Sequence, residues 1–313
     1  MLLRAFAAVL TLAFIAAAAA QPYPAKPLHL IVPYSVGAPP DIVGRIAAAQ
    51  LQAGLGTPLV VDNRPGAAGT IGLAELARAP ADGYTLAVIA MPTSVAPSLY
   101  PETKLDFSAV GQMVFSYNVL VVHPSVPAKD VSQLISILKA ERYSFASGGN
   151  GTPAHLSGEL FKREAGVQAQ HVPYNQLPQA VGDLVAGRLQ FMFLASAPAL
   201  PHIRAGRLRA LAVTGPKRLD VLKDTPTMIE AGFPDFVIRD WVGLIVRSGT
   251  PRPIVERLNA ELNRGLADPA VRAQLDRMGA EVATGTPQGF DALIAAEVKR
   301  WSALVRSAGV KPD

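Results

Sequence analysis

The sequence contains no cysteine. No disulfide can staple this fold, no thiolate can act as a nucleophile, and no thiolate metal site can form. Stability has to come from buried apolar surface, and hydrophobic residues make up 50 % of the chain. Aromatic residues are scarce, at 6 %. Basic residues are scattered, and the densest group, Arg204, Arg207 and Arg209, has no aromatic side chain interleaved with it. A nucleic-acid surface needs a stacking platform beside its charge, so the net charge of +5 points instead to a mild field that draws small anions. Also missing are G-x-S-x-G, H-E-x-x-H, a Walker A loop and G-x-G-x-x-G. The five histidines, His29, His123, His155, His171 and His202, never fall at metal-ligand spacing. Although a triad drawn from distant positions leaves no local motif, the sequence suggests no enzyme, no cofactor and no metal.

Long hydrophobic runs are confined to the start. Arg4 precedes an almost wholly apolar stretch from Ala5 to Ala20, and Ala18-Ala19-Ala20 stands before Gln21. That pattern is a secretory signal peptide, expected to be cut after Ala20. The run is short for a membrane span, which needs about 20 apolar residues, and no cysteine is available for a lipid anchor. The mature protein is expected outside the cytoplasm, in the periplasm.

Beyond this segment, short runs rich in Val, Leu and Ile alternate with helical patterns. Strands are expected at Leu28–Val32, Leu59–Val61, Tyr84–Ile89, Val119–Val122, Tyr143–Ala146, Leu189–Phe193, Leu208–Val213 and Val242–Val246. Alternation of this kind argues for an α/β fold with parallel sheets covered by helices. In the last third, Thr250-Pro251, Asp268-Pro269 and Thr286-Pro287 each set a capping oxygen before a Pro that starts a helix. Gly279 and Gly309 are expected to stop the last two helices. Phe290, Leu293, Ile294, Val298, Trp301, Leu304 and Val305 form one helical stripe, so Trp301 reads as core.

Two strand-to-helix turns carry the chemistry. One runs from Pro33 to Asp41 through Tyr34, Ser35, Val36, Gly37 and Ala38, ahead of a helix over about Pro40–Ala53. The other runs from Ser147 through Gly148, Gly149, Asn150, Gly151 and Thr152, ahead of a helix over about Pro153–Ala165. Small-residue turns at helix N-termini expose backbone N–H groups beside the positive end of the helix dipole. Such turns lie at the carboxyl ends of strands, where open α/β sheets take ligands. A third loop, Asn63–Thr70 with Gly69, feeds a helix over about Ile71–Ala79, and Met91-Pro92-Thr93-Ser94 adds two hydroxyls after its strand. Asp41 is expected chiefly to satisfy N–H groups at its own helix start. His155 is expected on a helix face and not against a ligand.

In order and spacing, "YPAKPLHLIVPYSVGAPPDIVGR", "VDNRPGAAGTIG", "ADGYTL", "SGGNGTPAHLSGELF", "HVPY", "AGRLRALAVTGPKR", "TPTMIEAGFPDF" and "SGTPRPIVERLN" resemble the substrate-binding proteins of tripartite tricarboxylate transporters, the Bug (Bordetella uptake gene) family. The resemblance runs from about Tyr23 to Gly309. It implies a type II periplasmic-binding-protein fold, with two α/β lobes, a ligand cleft between them and crossing hinge strands. Lobe 1 would comprise residues 21–118 and 241–313, and lobe 2 residues 119–240, with Val119–Val122 and Val242–Val246 at the hinge. It further implies a monomeric receptor that captures a small carboxylate and passes it to membrane transporter subunits. A ligand-presenting partner of a membrane sensor kinase, or an enzyme on the same two-lobed fold, is the alternative.

The ligand residues implied are Tyr34, Ser35, Gly37, Ala38 and Asp41 in the first loop and Gly148, Asn150, Gly151 and Thr152 in the second. Gly69, Thr93, Ser94, Tyr174 and Leu194 complete the set. The sequence departs from the family pattern in three places. Pro39 and Pro40 remove donors from the first loop. Tyr174-Asn175-Gln176 stands where the family has a Lys after the Tyr, and Phe193-Leu194-Ala195 where it has an acid and an amide. A carboxylate ligand with an uncharged, partly apolar body is therefore expected, in place of an amino acid or a highly charged acid.

Overall fold

The computed structural model describes residues 23–308; the expected signal peptide and the expected helix stop at Gly309 lie outside them. The chain opens with a βαβαβ unit: β1 (Leu28–Val32), α1 (Pro39–Leu55), β2 (Leu59–Asn63), α2 (Thr70–Arg78) and β3 (Thr85–Ala90), followed by α3 (Met91–Leu99). β1 pairs in parallel with both β2 and β3. A long strand, β4 (Phe107–Val122), leads through α4 (Val131–Ala140) into a second such unit. This comprises β5 (Tyr143–Ser147), α5 (Pro153–Ala165), β6 (Ala169–Pro173), α6 (Leu177–Val185) and β7 (Phe191–Ala195). β5 is again parallel to both neighbours. Then come α7 (Ser196–Arg204), β8 (Arg209–Val213), β9 (Arg239–Arg247), α8 (Arg252–Ala267), α9 (Pro269–Arg277), β10 (Ala280–Val282) and α10 (Pro287–Ala308).

The strand order is β2-β1-β3-β9-β4-β7-β5-β6, with β8 and β10 also on β4. β4 joins the two halves because it changes partner along its length. Phe107–Tyr117 lies antiparallel to β9, whereas Asn118–Val122 lies antiparallel to β7 and Val119–Val122 to β8. Sixteen residues make this possible, since a strand rises about 3.3 Å per residue and can serve two sheets in turn. The sheets are thus mixed and not wholly parallel: each βαβαβ unit is parallel inside and is closed by antiparallel strands.

All eight expected strands are present, with ends shifted by a few residues, and α5 has the expected span. Three strand segments were not expected: Phe107–Asn118 of β4, β6 and β10. β6, Ala-Gln-His-Val-Pro, is an edge strand with no fully buried residue, so it lacks the apolar run on which strand reading relies. Met91-Pro92-Thr93-Ser94, read as a hydroxyl-bearing turn after its strand, begins a helix, Met91–Leu99, with Pro92 in its first turn. The cap at Asp268 is present, its carboxylate accepting from the N–H groups of Ala270 and Val271. Thr286 likewise accepts from Gly289 N–H at 3.1 Å. Thr250 does not cap: α8 starts two residues later, at Arg252, and the Thr250 hydroxyl donates instead to the Arg247 carbonyl at 2.8 Å. Gly279 follows α9 in the left-handed conformation, φ 71°, as a helix stop requires.

α10 packs Phe290, Ile294, Trp301 and Val305 into the core. Its buried Glu297 accepts from the indole N–H of Trp301 at 2.7 Å and of Trp241 at 3.4 Å, so both large side chains are buried with their polar atoms paired. In the second half Phe145, Phe161, Phe191 and Phe193 meet at centroid distances of 5.6–6.4 Å, in a buried cluster that also takes in Ile89, Trp241 and Phe290.

Candidate functional site: a cleft ringed by helix N-termini

In both βαβαβ units the strand order reverses at the first strand, which places the loops after β1 and β5 at switch points of the sheet, where open α/β folds leave a crevice. The crevice here is a cleft of about 510 Å³. Its walls are built from starts of helices. Ala38 and Pro39 belong to α1, Gly69 precedes α2, and Pro92 is in α3. On the far wall stand Thr152 at α5, Gln176 at α6 and Ala195 at α7. Six helix dipoles thus present their positive ends to one space. No Lys or Arg lines it among the described residues; apart from backbone, a few amides and hydroxyls and the Asp240 carboxyl group, the lining is apolar, with Pro33, Pro65, Leu177, Met192, Phe193 and Leu194.

Nine of the expected ligand residues line the cleft: Tyr34, Ser35, Ala38, Gly69, Gly148, Asn150, Thr152, Tyr174 and Leu194. Five do not, and each has a local reason. Asp41 is turned back into the loop, where its carboxylate accepts from Gly37 N–H at 2.9 Å, Asn63 Nδ2 at 2.8 Å and Arg45 Nε at 3.0 Å. Burial opposes its ionisation, but these hydrogen bonds outweigh it and hold the carboxyl below its usual range. Gly37 is therefore spent on Asp41. Thr93 is fully buried behind the wall, 3.0 Å from the Tyr34 hydroxyl, which also accepts from Ala90 N–H at 2.9 Å. Ser94 donates to the Met91 carbonyl inside its own helix at 2.6 Å. Gly151 has φ 74° and donates to His155 Nδ1 at 3.1 Å. Tyr174 offers its ring to the cleft and its hydroxyl to Asp183, at 2.6 Å. With Pro39 and Pro40 lacking N–H groups, and Ala38 N–H donating to Ser35 O at 3.1 Å, the first loop presents fewer donors than its helix start suggests.

The second loop is braced from behind by a histidine pair that spacing along the chain could not reveal. His155 and His171 stack with ring centroids 3.9 Å apart. His171 Nε2 lies 2.7 Å from the Ser147 hydroxyl, which donates to the Gly149 carbonyl at 3.0 Å. Neither ring lines the cleft. Burial lowers the pKa of His155 to about 3, helped by His171 and Lys162, and burial with Lys162 lowers that of His171 to about 4. Both rings are neutral in the fold and gain protons on unfolding below pH about 6.5. Their contribution to stability is complete above that pH and is lost as pH falls toward the folded values. Asp240 acts in the opposite sense, because its pKa is raised in the fold. The difference between wild type and a variant isolates the ring: the stability advantage of wild type over His155→Asn should shrink by about 2 kcal/mol between pH 7.5 and 5 in urea titrations. Parallel pH profiles would show that the ring titrates normally.

Two cleft residues were legible in the sequence only as a lobe boundary. Asn118 and Asp240 lie on the floor, 2 % and 7 % exposed. Asn118 Nδ2 and Asp240 Oδ1 have no hydrogen-bond partner. Burial raises Asp240 to about 7, the Glu297 carboxylate adding to it against the Trp241 N–H bond. Leu194 leaves the wall without the acid that the family pattern has there, but Asp240 supplies a carboxyl group on the cleft floor, a residue that was not among the expected ligand contacts. The available signal was a single acid inside the apolar run Val-Ile-Arg-Asp-Trp-Val-Gly-Leu.

Two α/β halves joined by a shared strand, with a cleft of donor loops between them, define a two-lobed solute-binding protein. Comparison with known proteins places it further. The tripartite tricarboxylate transporter family receptor profile matches residues 43–310, and the chain belongs to that family. It is 35 % identical to Protein BugT of Bordetella pertussis, over 97 % of this chain and 95 % of that protein. Among solved structures it resembles R. palustris Rpa4515 with adipate, with TM-score 0.88 and 33 % identity over 93 % of this chain and 100 % of that one. MatC from Rhodopseudomonas palustris with bound malate superposes with TM-score 0.83 and 31 % identity, over 90 % and 100 % of the two chains.

Proposed function

We propose that this protein is a periplasmic receptor that captures a small carboxylate by closing its two lobes and delivers it to a membrane transporter, without catalysing a reaction. The observation that carries the reading is the ring of six helix N-termini around a cleft with no cationic side chain among the described residues. Fixed dipoles and N–H groups bind one carboxylate without a mobile counter-ion. Hydrogen bonds to a charged group contribute about 1.5–3 kcal/mol each. Micromolar affinity requires about 8 kcal/mol net, so four or five contacts suffice. The apolar walls favour a ligand body without further charge, and the relatives with adipate and malate support the carboxylate class. Lobes 21–118 with 241–313, and 119–240, would close about the segment where β4 exchanges β9 for β7 and β8. Among the described residues no helix is long and apolar enough to cross a membrane, which suits a receptor that works as a monomer beside its transporter.

Calorimetry against butyrate, benzoate, adipate, succinate, malate, citrate, aspartate and glutamate tests the ligand class, and small-angle scattering tests the closure. Saturable binding with a smaller radius of gyration is expected. Tight binding confined to aspartate, glutamate or citrate would overturn the preference for an uncharged body. An unchanged scattering profile at saturation would overturn the clamp.

A further inference from the structure

We infer that Asn118 and Asp240 form a paired donor and acceptor station on the cleft floor that selects a carboxylate bearing a hydroxyl group. The inference rests on the carboxylate reading above and adds the second functional group of the ligand. Strand geometry places the two side chains together. Asp240 on β9 pairs with Ser116 of β4, and Asn118 is two residues further along β4, so alternation puts Asn118 and Asp240 on one face of the sheet. The backbones of diagonal neighbours of this kind sit about 7–8 Å apart, so the two side chains can reach one small group held between them, and they make no hydrogen bond to each other through Asn118 Nδ2 or Asp240 Oδ1.

Both residues line the cleft and are more than nine-tenths buried, yet an amide N–H and a carboxyl oxygen are left without partners. Buried polar atoms in folded proteins are paired in the great majority of cases. The unmet demand is specific: one hydrogen bond to be accepted from Asn118 Nδ2 and one to be donated to Asp240 Oδ1. A hydroxyl does both at once. An ammonium would satisfy Asp240 but could not accept from Asn118, and a methylene would satisfy neither. The station lies where β4 passes from one half of the molecule to the other, so a group held there touches the segment about which the lobes would move.

The test uses the full mature chain, freed of co-purified ligand, and three matched series. These are butyrate, 3-hydroxybutyrate and 3-aminobutyrate; succinate, malate and aspartate; and benzoate with 4-hydroxybenzoate. In at least one series the hydroxy acid should bind tenfold or more tighter than its unsubstituted parent. Asp240→Ala and Asn118→Ala should each bring that ratio below about threefold, with circular dichroism confirming the fold. Equal binding within every series, preference for the amino acid, or persistence of the preference in either variant would overturn the station while leaving the carboxylate reading intact. Binding of none of the acids would overturn the carboxylate reading and the station together.

Discussion

Replacing Ala38 with Trp should weaken binding of the tightest acid of the panel by at least a hundredfold while leaving the melting temperature almost unchanged. Ala38 is the N-cap of α1, at φ −68° and ψ 153°, a backbone conformation open to any L residue. Its N–H bond to Ser35 O and its carbonyl bonds to Asp41 N–H and Ile42 N–H are main-chain contacts that survive the substitution. The side chain, however, projects from the wall of a cleft of about 510 Å³, within the usual size range for a site that encloses a small molecule. An indole there competes with the ligand and props the walls apart. Calorimetry and thermal melting together give the answer, and full affinity in a folded Ala38→Trp protein would place the ligand elsewhere.

Gly158→Ala should destabilise the fold by about 2–3 kcal/mol, although Ala is the better helix former by about 1 kcal/mol. Gly158 lies within α5, and a Cβ there would overlap the ring of Phe145. Phe145 has no room to yield: it is fully buried and stacked between His171 at 4.9 Å and Phe191 at 5.6 Å. The steric term exceeds the propensity term, so the sign is unfavourable. Because Phe145 touches the histidine pair behind the second loop, the strain should also reach Gly149 and Gly151. Denaturant unfolding of the variant would measure the loss, and a neutral or stabilising result would mean that the ring moves freely.

Much of this site was written locally. The turns after β1 and β5 declare themselves by small residues followed by Pro at a helix start, and the structure places Ser35, Ala38, Gly148, Asn150 and Thr152 on the cleft as expected. Asp41 satisfies a loop N–H group at its own helix start, the chief role its position suggested, while Gly151 donates to His155 and not to the cleft. A carboxylate in a first helical turn has nearby N–H groups to satisfy, and a glycine N–H next to a buried imidazole has an acceptor at hand, so both were consumed within their own loops. Thr93 and Ser94 were legible as hydroxyls, but not as buried ones, because the turn Met91–Ser94 is the start of a buried helix.

The amino-acid sequence by itself determined the α/β alternation, most strand positions, the helix starts at Pro153, Pro269 and Pro287, that near Pro40 to within one residue, and the burial of Trp301. Each follows from hydrophobic period or capping chemistry, which act within a few residues. Tertiary structure alone decided that β4 serves two sheets, that His155 stacks on His171, and that Asn118 and Asp240 share the cleft floor. Those pairs are 16 and 122 positions apart in the chain and are brought together by strand register and helix packing. Register is fixed by which faces bury against which, a property of the assembled sheet and not of any segment read alone.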